Sequence, residues 1–212
     1  PLDDDLQAQR MSMLAASRFL LDGRGYGYHV AKGNRTWDNE RAVEIPIVWD
    51  ALQSHGHSRG VLEVGNVLGH YFPIDHPVLD RDERHRTVTW NQDVLAFEPP
   101  FAPELVLSIS TLEHVGMDQT PRDPTQFRQA LDAVLSWLAP GGRLLFTVPL
   151  GYNRGVGEYL DAPHAARSSV RCLRRITPEN LWAQAAYDQV RTYRYNRPFT
   201  CANAIAIVEC TA

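Results

Sequence analysis

From Gly60 onward, short apolar runs alternate with helical patterns, and this alternation constrains the fold more than any other feature. Gly60-Val61-Leu62-Glu63-Val64-Gly65 reads as a strand closed by a glycine, with a helix expected from about Val67. His76-Pro77-Val78-Leu79-Asp80 reads as a second strand ending in an acid, and Thr87 to Trp90 as a third. Leu105 to Ile109 is a buried strand after the Pro99-Pro100 turn. The next helix is well marked: Asp123 caps it, Pro124 suits the first helical position, and Phe127, Leu131, Val134, Leu135 and Leu138 share one face. Pro140-Gly141-Gly142 ends it and Arg143 to Val148 follows as a strand. Thr177-Pro178-Glu179 opens another helix with Leu181, Trp182 and Ala185 inward, and Gln189 to Tyr195 and Ala204 to Glu209 form a closing pair of strands. The expected class is α/β: a Rossmann-like doubly wound sheet, mostly parallel with an antiparallel closing strand, preceded by N-terminal helices.

Upstream, Leu6, Met13, Leu14 and Phe19 recur at helical intervals, so Leu2 to Leu21 is expected as one helix or two short ones. Gly23, Gly25 and Gly27 break it, and a second helix is expected over Asn39 to Leu52, kinked or restarted at Pro46. His55-Gly56-His57 has the look of a metal fragment, but histidines flanking a glycine more commonly sit in a solvated linker. With 212 residues the chain suits one domain, 1–59 forming an N-terminal helical segment and 60–212 the sheet. A net charge of -4 disfavours a dedicated nucleic-acid binder, and no apolar run approaches the roughly 20 residues of a membrane span. Three cysteines without metal-like spacing, and an acidic start unlike a signal peptide, suit a cytoplasmic location.

Ligands in such a sheet bind beyond the carboxyl ends of the strands, where strand order reverses. The first of those loops, Glu63-Val64-Gly65-Asn66-Val67-Leu68-Gly69-His70, lacks the G-x-G-x-x-G of a dinucleotide cradle. It resembles instead the E/D-x-G-x-G-x-G motif of class I S-adenosylmethionine-dependent methyltransferases, with Val67 in place of the middle glycine. Ser110-Thr111-Leu112-Glu113-His114 resembles the "LEH" segment after their fourth strand, and Leu138-Ala139-Pro140-Gly141-Gly142 the turn before their fifth. The segments around Gly65, Ser108 and Val148-Pro149-Leu150-Gly151 also resemble the calicheamicin-type deoxysugar O-methyltransferases.

The resemblance implies S-adenosylmethionine as cofactor, held by Glu63, Gly65, Asn66, Gly69, His70, Asp80, Asp93, Ser110, Thr111 and Leu112. Asp80 would accept the ribose hydroxyls, with Asp82 and Glu83 as rivals, and Asp93 would face the adenine amino group. His114 is the natural general base for an acceptor hydroxyl, because imidazole titrates near neutrality. His164 could reach the site from the loop after the fifth strand, and Asp118 and Tyr152 are weaker alternatives. No metal is expected. Arg167, Arg171, Arg174 and Arg175 form a basic cluster suited to a diphosphate, and Tyr26, Tyr28 and Trp37 could wall an acceptor pocket. The expected activity is O-methylation of a small molecule, a sugar or nucleotide sugar; a homo-oligomer stays possible. N-methylation, aminopropyl transfer or a non-catalytic scaffold on the same fold are the alternatives.

Overall fold

The computed structural model describes residues 4–162 and 168–212. The chain begins with α1 (Asp4–Ala16), a hairpin of β1 (Arg18–Leu21) and β2 (Arg24–Gly27), and α2 (Arg41–His55). The sheet strands are β3 (Val61–Val64), β4 (Val78–Leu79), β5 (Leu105–Ile109), β6 (Arg143–Pro149), β7 (Ser168–Arg175), β8 (Trp182–Ala185) and β9 (Ala204–Thr211). Between them lie α3 (Gln126–Trp137), α4 (Arg154–Asp161) and α5 (Tyr187–Val190). Strand order is β4-β3-β5-β6-β9-β7-β8, with β4, β3, β5 and β6 parallel and β9 antiparallel to β6. This is the expected Rossmann-like sheet.

Alternate residues of each strand feed opposite layers. Leu105, Leu107 and Ile109 pack with Val43, Ile45 and Val48 of α2, together with Phe19 and Leu21 of the hairpin. Val106, Leu144 and Phe146 pack with Phe127, Leu131 and Val134 of α3 on the other face. α2 runs through Pro46 without restarting. A proline leaves the carbonyl four residues back without its helical donor, and here that carbonyl, on Ala42, accepts from the His29 N–H at 2.8 Å.

Four expectations change. The first helix ends at Ala16, and Asp22-Gly23, with φ of 52° and 79°, turn a β-hairpin where helix was expected. No α-helix follows Val67; a single 3-10 turn spans Leu68–His70 because Glu63 draws the loop inward. Thr87 to Trp90 contributes only a bridge from Trp90 to Leu79. The segments expected as helix after Thr177 and as strand from Gln189 are reversed, becoming β8 and then the short α5.

Candidate active site

The strand order reverses between β3 and β5, and a cleft opens there beyond their carboxyl ends. Val64, Leu79, Val94 and Val115 give it apolar walls, while Gly65, Asp80, Asp93, Ser110, Thr111 and His114 bring its expected polar groups together. Gly65 has a φ of 86°, and a Cβ there would overlap the side chain of Thr111. The turn after β3 and the corner after β5 therefore touch, and only glycine allows it. Val67, the departure from the glycine motif, has φ of -113° and needs no left-handed backbone. Its side chain is buried against the α2 layer, so the loop keeps its path without a second flexible glycine.

Asp80 binds the surrounding backbone before any ligand. Its Oδ2 accepts from Asn66 N–H at 2.9 Å, and its Oδ1 accepts from Asp82 N–H at 3.0 Å and Glu83 N–H at 2.8 Å. A carboxylate has about four acceptor positions, so one remains, on Oδ2. That accommodates one hydroxyl, which narrows the expectation of two. Across the mouth, Arg81 reaches Asp82 at 2.8 Å and Asp93 at 3.3 Å. Asp93 also accepts from the Leu95 N–H.

Other expected cofactor residues lie outside the cleft. Glu63 is fully buried beneath the loop: Oε1 accepts from Val67 N–H and Leu68 N–H at 2.9 and 2.8 Å, and Oε2 meets His76 Nε2 at 3.0 Å. It shapes the loop. Asn66 turns its side chain to Thr87, and Gly69 packs beneath those two. His70 pairs with Glu83 at 2.9 Å, and Leu112 is fully buried in the core. His164 and Arg167 lie outside the described residues.

The corner after β5 rests on two residues that sequence reading passed over. Glu44 of α2 is fully buried; it accepts from the Ser110 hydroxyl at 2.6 Å and pairs with Arg41 at 3.0 Å. Arg41 donates in turn to the Ile109 carbonyl at 2.8 Å. This frame holds Ser110 at a φ of 38°, a left-handed conformation that serine rarely adopts. A charged residue within the apolar run Ala42-Val43-Glu44-Ile45 was the available sign.

His114 stands at the cleft edge with acids on both sides. Its Nδ1 is 3.0 Å from Asp118 Oδ2 and 3.1 Å from the Tyr152 hydroxyl, and its Nε2 is 3.8 Å from Glu113 Oε1. The tautomer that donates from Nδ1 to Asp118 leaves the Nε2 lone pair available. Glu113 is fully buried, and neither carboxylate oxygen has a hydrogen-bond partner among the described residues. Burial pushes its carboxyl well above the usual carboxylate range; Glu44 and Glu40 add to the rise and Arg41 opposes it.

The arginine cluster does not form one anion site. Arg171 faces Asp22 and Glu209, each at 3.5 Å, while Arg174 is exposed and points to the opposite side of β7. Arg175 is buried, donating to the carbonyls of Thr177, Asp38, Thr200 and Pro178. Strand alternation turns Arg174 away from Arg171 and Arg175. Tyr28 and Trp37 are core residues, and Tyr26 leans on Asp50 and Phe19.

Neither a protein-family model nor a curated protein matches the chain. Solved structures do. The N-methyltransferase NodS from Bradyrhizobium japonicum WM9, in complex with S-adenosyl-L-homocysteine, superposes with a TM-score of 0.52 and 16% identity, covering 97% of each chain. The chain has that methyltransferase fold. A sugar N-methyltransferase from Streptoalloteichus has a TM-score of 0.39 at 18% identity, over 64% of this chain and 62% of that one. An S-adenosylmethionine-dependent methyltransferase from Clostridium acetobutylicum scores 0.41 at 9% identity, over 77% and 88%.

Proposed function

We propose that the protein is an S-adenosylmethionine-dependent methyltransferase acting on a small-molecule acceptor, with His114 as the base that receives the acceptor's proton. The observation that carries this reading is the cleft itself. It sits where strand order reverses, has a side-chain-free floor at Gly65, and keeps one carboxylate position open on Asp80. When bound there, the cofactor supplies a methyl group made electrophilic by its sulfonium. Asp80 would hold a ribose hydroxyl, Asp93 the adenine edge, and the Ser110-Thr111 corner the methionine end. Neutral apolar walls at Leu79 and Val94 suit an adenine ring.

The protein's own chemistry is then proton removal and positioning. Methyl transfer is an in-line displacement, so holding the two reactants in line supplies much of the rate. His114 Nε2 takes the proton, and the resulting imidazolium lies between Asp118 and Glu113. Such a base suits a hydroxyl, which favours O-methylation of a sugar. A nucleotide diphosphate has less support now that Arg171 and Arg175 are engaged within the protein. Methylation of an amine is the second reading, favoured by the acids Asp118, Asp82 and Asp93 around the cleft, which would attract an ammonium group. The segment 1–59 would shape the acceptor side through α2, and a homo-oligomer and a cytoplasmic location remain part of the proposal.

The test is an acceptor panel of hydroxylated and aminated sugars with methyl-labelled cofactor, read by product mass. His114→Ala should retain cofactor affinity and lose turnover by about 100-fold or more, the usual contribution of a positioned base. Wild-type turnover in that variant would remove His114 from the mechanism.

A further inference from the structure

At the end of the sheet opposite the cleft, where β3 and β5 begin, three side chains of ligand type converge. His55 ends α2, Gly56 caps it with a φ of 85°, and the reversed chain returns His57 to within 4.6 Å of His55, ring centroid to ring centroid. Glu104 immediately precedes β5 and lies across Gly60, where a Cβ would crowd its side chain at 3.1–3.3 Å. One donor atom from each of His55, His57 and Glu104 falls within 4.8 Å of the others.

We propose that His55, His57 and Glu104 form a binding site for a divalent transition-metal ion of the zinc type. Two imidazoles and one carboxylate are the donor set that such an ion takes, with a fourth position left to solvent. His55 Nε2 is buried and makes no hydrogen bond; Glu104 Oε2 stands 3.7 Å away. That is too long for a hydrogen bond but close to the separation of about 3.4 Å between two donors on one tetrahedral zinc with bonds of about 2.1 Å. His57 Nδ1 lies 3.0 Å from the Arg59 carbonyl. Ligating histidines commonly hold one ring N–H in this way, which fixes the ring and leaves the other nitrogen to the metal.

The sheet separates this site from the cleft, since β5 runs from beside Glu104 to Ser110 over about 16 Å. Its role is therefore a clip. A bound ion would tie the end of α2 to the starts of β3 and β5, the same helix whose Glu44 and Arg41 brace the Ser110 corner.

Titration calorimetry of the tag-free, chelator-stripped chain with zinc chloride tests the site. One equivalent should bind in the micromolar range. His57→Ala, an exposed position, should weaken binding by about tenfold or more, and His55→Ala with His57→Ala should abolish it. Zinc should raise the melting temperature of the wild type and leave the double variant unmoved, and cofactor affinity should be the same in both. No zinc binding by the folded wild type, or binding unchanged in the double variant, overturns the proposal.

Discussion

Removing the Glu63 carboxylate separates a residue that builds the site from one that binds a ligand. At 0% exposure it holds Val67 N–H, Leu68 N–H and His76 Nε2 within 3.0 Å. Glu63→Ala strands two backbone donors and a buried ring nitrogen, each worth about 1–3 kcal/mol when left unsatisfied. These losses overlap, and breaking a buried network of this kind typically costs about 3–5 kcal/mol in all. For a domain of this size each kcal/mol lowers the melting temperature by about 2–4 °C, so the drop should be about 6–20 °C. Glu63→Gln keeps a carbonyl for the two N–H groups, and its amide N–H is accepted by His76 Nε2 once that ring carries its proton on Nδ1, so the loss is smaller, about 1–2 kcal/mol. Urea and thermal unfolding followed by circular dichroism measure both. The reasoning fails if Glu63→Ala unfolds within about 2 °C of wild type, or if Glu63→Gln is as unstable as Glu63→Ala. It fails equally if cofactor affinity falls in Glu63→Gln with stability unchanged, because that is how a direct ligand would behave.

Three further outcomes follow from the same geometry. Gly65→Ala must place a Cβ against Thr111 at a left-handed φ, and should cost about 2–5 kcal/mol with loss of cofactor binding; a stability within 1 kcal/mol of wild type on urea unfolding would contradict the contact. Asp80→Ala should destabilise as well as weaken cofactor binding, because three backbone N–H groups lose their acceptor; unchanged melting would show that those bonds contribute nothing. Glu113 is held above its unfolded value by burial, so the native state keeps its proton longer. Wild-type stability therefore falls as pH rises from the ordinary glutamate value, about 4.3, up through the elevated folded one. In Glu113→Gln that fall is absent, so its melting advantage over wild type should be near zero in acid and grow with pH until the folded-state carboxyl has titrated. An advantage that is constant with pH would refute the buried-charge explanation.

The central strands were legible because burial on both faces leaves continuous apolar runs, as in Leu105 to Ile109 and Arg143 to Val148, with turn residues fixing their ends. The cleft followed from them, since Gly65, Asp80, Ser110, Thr111 and His114 occupy strand ends. Residues that support the site without touching it were harder to place. Glu63 and Asn66 share a motif with Gly65, and a motif does not tell which members face the ligand. Arg41 and Glu44 act across the fold, 66 positions from Ser110 in the case of Glu44, so no local pattern marks them. β7 was hidden by charge: Arg171, Arg174 and Arg175 suggest a solvated surface, but Arg175 is buried because four carbonyls converge on its guanidinium. The Asp22-Gly23 hairpin carried a recognisable turn signal, which the helical spacing of Leu14 and Phe19 outweighed.

Calorimetric titration of the folded chain with S-adenosylmethionine, beside Asp80→Asn, tests the central claim most directly. The account predicts one-to-one binding by the wild type and a loss of about tenfold or more in Asp80→Asn, whose amide cannot supply every acceptor position the carboxylate does. Absence of binding by a folded wild-type sample, or equal affinity in the two proteins, would contradict it.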